Sequence, residues 1–123
     1  MAIALTDREA DIMQILWERG PSTVAEVRQA LSDDLAYTTV LTILRNMHAK
    51  GYVDHKPEGR AHRFFPKIQQ QAARKNAVKH LMGKLFKGSA ELLLTQLVSE
   101  HKLDDDQVER IRKILEEKQT KRK

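Results

Sequence analysis

The sequence predicts a mostly α-helical fold with one small β-hairpin, and three observations carry that expectation. Two capping boxes, Thr6 to Glu9 and Thr23 to Glu26, each stand directly before a run of helix-spaced apolar residues. Residues 37–50 then read as a helix with two unlike faces, one apolar and one rich in hydroxyls. A glycine stop at Gly51 is followed by two strand-like runs joined by Pro57-Glu58-Gly59. Three short helices and a basic hairpin are the layout of a winged helix-turn-helix. The rest of the chain carries the apolar stripes of further helices. The expected organisation is a winged helix-turn-helix DNA-binding domain over residues 1–70 and a C-terminal helical dimerisation region over residues 71–123.

The first helix opens at Thr6 and carries Ile12, Met13, Leu16 and Trp17 as its stripe until Gly20-Pro21 stops it. The second opens at Thr23 and turns Val24, Val27 and Leu31 inward. Ser32-Asp33-Asp34 is the turn into the third, expected from Tyr37 to Lys50. At about 100° per residue, Val40, Ile43, Leu44 and Met47 share its inner side. Strands are expected at Tyr52–Lys56 and Ala61–Pro66, with Val53, Phe64 and Phe65 inward and Lys56, Arg60 and Arg63 near the tip.

Gln69-Gln70-Gln71-Ala72-Ala73 opens a fourth helix, with Val78, Leu81, Met82, Leu85 and Phe86 on one face and Gly88 as its stop. A fifth, Ala90–Ser99, carries Leu93, Leu94, Leu97 and Val98. A sixth, capped by Asp104 with Gln107, carries Val108, Ile111, Ile114 and Leu115, and the tail from Lys118 is expected to fray. Three helices of this size cannot bury that much apolar surface alone. A symmetric homodimer is the most economical cover. Leu81, Leu85, Leu93, Leu94, Leu97, Val98, Val108, Ile111 and Leu115 are the expected dimerisation residues.

Charge is uneven along the chain. The formal total is +5, yet residues 1–35 hold three basic and seven acidic side chains, net −4. Residues 36–67 hold six basic and two acidic, net +4. Residues 72–90 add Arg74, Lys75, Lys79, Lys84 and Lys87 with no acid, and residues 91–123 are balanced. The third helix and the hairpin therefore form a positive face on an otherwise acidic small domain, which points to an acidic partner.

Several function classes drop out. Without cysteine there is no disulfide and no thiolate metal site, and a reducing, cytoplasmic setting is expected. No apolar run approaches the ~18 residues of a membrane span, so no membrane insertion is expected. The opening Met1-Ala2-Ile3-Ala4-Leu5 lacks the charged segment of a signal peptide. The five histidines, His48, His55, His62, His80 and His101, form no close-spaced ligand motif. His55 and His62 can face each other across the hairpin, but two ligands are too few for a specific zinc site, so no metal or cofactor is expected. There is no glycine-rich phosphate loop, nucleophile elbow or apolar carboxylate pair, and neither Ser89 nor Ser99 has a triad, so no enzyme is expected.

The outer face of the third helix carries Thr38, Thr39, Thr42, Arg45, Asn46 and Ala49. A helix that serves only solvent usually shows Glu and Lys there. One that enters a DNA groove needs short side chains with hydrogen-bonding tips and no carboxylate. Three threonines on an exposed face cost helix propensity for no packing return, a conflict that marks function. Threonine methyls meet thymine methyls, hydroxyls reach base edges or phosphates, and Arg and Asn pair with guanine and adenine.

The stretches Leu5-Thr6-Asp7-Arg8-Glu9-Ala10-Asp11-Ile12-Met13, Leu16-Trp17, Leu35-Ala36-Tyr37-Thr38-Thr39-Val40, Lys50-Gly51-Tyr52-Val53 and Arg60-Ala61-His62-Arg63-Phe64 occur in order, followed by Leu103 and Val108-Glu109-Arg110-Ile111. Together they resemble the penicillinase-repressor family, the BlaI/MecI/CopY type, over nearly the whole chain. The resemblance implies an N-terminal winged helix, a C-terminal dimerisation region and repression through an inverted-repeat operator. Many such repressors control antibiotic-resistance or stress genes, and a membrane-bound sensor metalloprotease triggers their cleavage in the dimerisation region. Two departures stand out. The copper-sensing branch uses cysteine pairs that this chain lacks. The resistance branch is cut at an Asn-Phe bond, where this chain has Gln96-Leu97, and it carries Arg at the position of Asn46.

The reading is a homodimeric repressor of a dyad-symmetric operator in double-stranded DNA. Thr38, Thr39, Thr42, Arg45 and Asn46 enter the major groove, while Tyr37, Arg60, His62 and Arg63 hold phosphates or the adjacent minor groove. The alternative is a winged helix that docks an acidic protein partner. Sequence-dependent binding to a palindrome separates the two.

Overall fold

The computed structural model describes residues 3–121. Its elements are α1 (Asp7–Arg19), β1 (Ser22–Thr23), α2 (Val24–Ala30), α3 (Tyr37–Ala49), β2 (Val53–Glu58), β3 (Ala61–Pro66), α4 (Gln70–Leu85), α5 (Ala90–Glu100) and α6 (Asp105–Lys121). Both capping boxes form. The Thr6 hydroxyl accepts from the Glu9 amide at 3.2 Å, and Glu9 Oε1 accepts from the Thr6 amide at 2.9 Å. Thr23 and Glu26 repeat this at 3.2 and 2.8 Å. α3 ends in a Schellman motif: Gly51 takes φ +82°, its amide donates to the His48 carbonyl at 3.0 Å, and the Tyr52 amide donates to the Met47 carbonyl at 2.9 Å.

The sheet departs from expectation in two places. β1 is a two-residue strand, Ser22–Thr23, paired with Phe64 and Arg63 of β3, which makes a three-stranded antiparallel sheet of order β1-β3-β2. It is too short for any period to show in sequence. The hairpin turn is Gly59-Arg60 rather than Pro57-Glu58-Gly59, because Glu58 pairs with Ala61 and Pro57 with His62. Pro57 is tolerated since β2 is an edge strand. Gly59, at φ +62°, supplies the first position of a type II′ turn.

The core of the first unit gathers the expected stripes: Ile12, Met13 and Leu16 of α1, Val24 and Val27 of α2, Val40, Leu44 and Met47 of α3, with Tyr52, Val53 and Phe64 from the hairpin. Phe65 lies on the other pleat and is only half-buried. Trp17 is also half-buried, and its indole donates to the Ile68 carbonyl at 3.0 Å. Two sequence segments lock together over this core. Lys50 Nζ meets Glu9 Oε2 at 2.8 Å, with Glu9 only 3% exposed. The Tyr52 hydroxyl accepts from the Ala4 amide at 3.0 Å.

The chain divides into two compact units, the first ending at Lys79 and the second beginning at His80. The start of α4 goes with the first unit: Ile68 and Ala73 pack on its core and Gln70 bonds to Gln14. In the second unit Ser89 caps α5 through the Leu92 amide, and Asp104 and Gln107 cap α6 reciprocally. α6 continues through Lys121, so the fraying expected from Lys118 is absent there; the last two residues lie outside the described range. From His80 to Thr120 no side chain is buried. No helix among the described residues is long and apolar enough to cross a membrane.

Candidate nucleic-acid interface

α3 is held by its inner side chains, and everything else on it faces out. Thr38, Thr39, Thr42, Arg45 and Asn46 are all exposed, and so is Tyr37 at its first turn. Its N-terminus differs from those of α1 and α2. The cap residue is Ala36, which makes no side-chain bond, and the first turn holds no acid. The positive end of the helix dipole is therefore left for an outside anion. α1 and α2 fill the same positions with Glu9 and Glu26. On the outer face the Thr42 hydroxyl donates to the Thr38 carbonyl at 2.9 Å. In that rotamer Thr42 offers its methyl and oxygen lone pairs outward, suited to a thymine methyl or a base amino group.

The wing places its charges unequally. Arg60, in the turn, is exposed and makes no ion pair among the described residues. Arg63 is committed elsewhere. Its guanidinium reaches Glu58 Oε2 at 2.7 Å, Glu26 Oε1 at 2.8 Å and the Pro21 carbonyl at 2.9 Å. It was expected among the phosphate contacts; the structure instead spends its donors on clamping β3 to Glu58 and to the start of α2. The hydrogen bond with Glu58 holds Arg63 above its ordinary value and Glu58 below its own. Glu26 is lowered first by the Thr23 amide and then by Arg63.

His62 is exposed on β3 and faces the half-buried His55 at 4.4 Å between ring centroids, as the hairpin pattern implied. The structure adds His48 of α3, 4.9 Å from His55. The signal was legible: His48 lies seven residues after Leu41 and three after Arg45, on the same helix edge. Among the described residues no three His, Asp or Glu side chains are arranged to hold a metal ion.

The profile of the penicillinase repressor family matches residues 5–117. The chain belongs to that family. Penicillinase-repressor proteins are transcriptional repressors and not enzymes, and this chain is similar to several of them. The methicillin resistance regulatory protein MecI of Staphylococcus aureus (strain N315) is 21% identical over 116 residues, 93% of this chain and 94% of that protein. The penicillinase repressor of Bacillus licheniformis is 22% identical over 121 residues, 97% of this chain and 94% of that protein. The transcriptional regulator BlaI of Mycobacterium tuberculosis (strain ATCC 25618 / H37Rv) is 46% identical over 65 residues, 50% of this chain and 47% of that protein. Among solved structures, a transcriptional regulator from Thermotoga maritima superposes with a TM-score of 0.55 at 19% identity, over 94% of this chain and 74% of that one. A MarR family protein from Bacillus stearothermophilus gives 0.54 at 15% identity, over 97% and 76%. At those identities the likeness is one of winged-helix fold alone.

Proposed function

We propose that this penicillinase-repressor protein binds a dyad-symmetric operator as a homodimer, with α3 in the major groove and the wing beside it. One observation carries the reading: α3 alone among the first three helices has an uncapped, acid-free N-terminus leading into an exposed face of threonines, Arg45 and Asn46. Thr38, Thr39, Thr42, Arg45 and Asn46 read bases; Tyr37, Arg60 and His62 hold the backbone; Arg63 positions the wing. The dimer rests on the second unit, where Leu94, Val98, Leu103, Val108 and Ile111 line an open groove of about 680 Å³. Leu81, Leu85, Leu97 and Leu115 are exposed and Leu93 is half-buried in the same unit, and we assign them to the same interface. Selection from a random duplex pool tests the operator reading. A palindromic consensus is expected, with Asn46→Ala losing about 1–3 kcal/mol of discrimination at one position of each half-site. Enrichment of no sequence would reject it.

We further propose that repression is relieved by cutting α5 at Gln96-Leu97, with a membrane-bound sensor metalloprotease as the trigger. Both residues are exposed in an 11-residue helix that has no buried side chain, so local opening is inexpensive. Mass spectrometry of the repressor from derepressed cells tests this; derepression with only intact chain present rejects it.

A further inference from the structure

The crease between α3 and the wing holds an arrangement that base reading does not need. His48, His55 and His62 stand in a row, with ring centroids 4.9 and 4.4 Å apart. Together with Arg45, Leu41 and Phe64 they line a cavity of about 160 Å³. His55 is the middle ring, and its Nδ1 is buried without a hydrogen-bond partner. Packing for its own sake does not explain that cost, since phenylalanine or leucine would fill the space without it.

Charges of both signs stand beside the row. Asp54 of β2 lies 3.3 Å from His48 Nε2. Its carboxyl is held below the ordinary value, first by the His55 amide and then by His48, with Lys67 adding to the effect. Arg45 of α3 lines the same cavity and has no such acid facing it there. Protonating His55 or His62 therefore places positive charges against each other and near Arg45. An anion seated among these groups would be attracted by every positive charge placed there.

We propose that this crease is a proton-gated seat for a DNA backbone phosphate, so that duplex binding and protonation of the histidine row each favour the other. The inference rests on reading α3 and the wing as the duplex-binding face. A protonated imidazole donates from both nitrogens, and its charge replaces a counterion on the phosphate. Reciprocity sets the scale: a phosphate that raises one imidazole's proton affinity tenfold has its own binding tightened tenfold by that proton. Histidine is the side chain whose charge changes between pH 6 and 8.

The test uses the full chain and a labelled duplex of arbitrary sequence, about 30 base pairs long, at fixed ionic strength. Binding by fluorescence anisotropy is expected to be roughly fivefold tighter at pH 6 than at pH 8, with a salt slope steeper by about one. The double variant His48→Gln/His62→Gln, whatever its affinity at pH 8, loses most of the pH dependence; His80 and His101, still present, serve as the internal control. Histidine titrations of the unmodified chain by NMR give a second measure that needs no variant. The midpoints of His48, His55 or His62 should move upward when the duplex is added. Binding that is equally pH-dependent in chain and variant, with unmoved midpoints, overturns the proposal. No binding at any pH overturns instead the duplex-binding reading beneath it.

Discussion

Arg60 and Arg63 are three residues apart on one hairpin, yet the structure gives them different work. Arg60 is exposed and unpaired among the described residues, while Arg63 is engaged by Glu58 and Glu26. Arg60→Ala should weaken binding to every duplex and flatten the salt slope by about one, because one phosphate contact is lost. Arg63→Ala should weaken binding through a misplaced wing and leave the slope nearly unchanged. Anisotropy titrations over a range of salt separate the two, and equal slope changes would remove the distinction. Glu9 offers a residue-scale test of stability. Burial pushes its carboxyl up, but hydrogen bonds from Lys50 and Thr6 outweigh that and hold it below the ordinary glutamate value. A depressed folded value stabilises the fold above the unfolded value, about 4.3, and that contribution is lost as pH falls through the lower folded one. Lys50→Met leaves the buried Glu9 carboxylate short of one charged hydrogen bond and should destabilise the fold. Urea unfolding should show the variant's deficit full at pH 7 and shrinking below about pH 4. A deficit independent of pH would mean that Lys50 acts through packing. The exposed face of α3 was legible because helical period alone sorts it from Val40, Leu44 and Met47. The fate of Arg63 was not, since Glu26 is 37 residues away in the chain.

At the scale of elements, those with local chemistry could be read and those made by pairing could not. Both capping boxes, the Gly51 stop and the Asp104 cap stand where the residues put them, since each is closed by bonds within a few positions. β1 exists only because Ser22 and Thr23 meet β3, and two residues carry no period. The hairpin turn moved for a related reason. Pro57 reads as turn chemistry, but an edge position lets it stay in the strand, and the reversal falls on Gly59. Gly59 has open space around it and a φ that side chains rarely adopt, +62°. Gly59→Ala should therefore strain the tip by about 1 kcal/mol without a clash. Thermal unfolding should fall slightly while duplex affinity falls more, because Arg60 shares the turn. Stability lost with affinity intact would show that the tip has no part in binding.

At the scale of the whole molecule the two units have opposite economies. The first closes a core of its own around Ile12, Leu16, Val40 and Leu44. The second closes none among the described residues: Leu97 is 46% exposed, Leu115 54% and Leu85 71%. α5 and α6 are capped, but helices of this length draw most of their stability from packing an apolar face, and these faces are left uncovered. A second copy of the same surface, as proposed, would meet that need and would also double the number of recognition helices on a palindrome. Leu94 lines the groove between α5 and α6 and is not a member of the first core. Leu94→Asp would bury an unpaired carboxylate in any interface formed there. Sedimentation at micromolar concentration should then show a dimer for the unmodified chain and a monomer for the variant. Operator affinity should fall steeply, since two linked half-site contacts become one. The first unit should keep its unfolding transition, because Leu94 is no part of its core. A monomeric unmodified chain would leave these faces without their proposed partner, and a variant that stays dimeric would move the interface off α5.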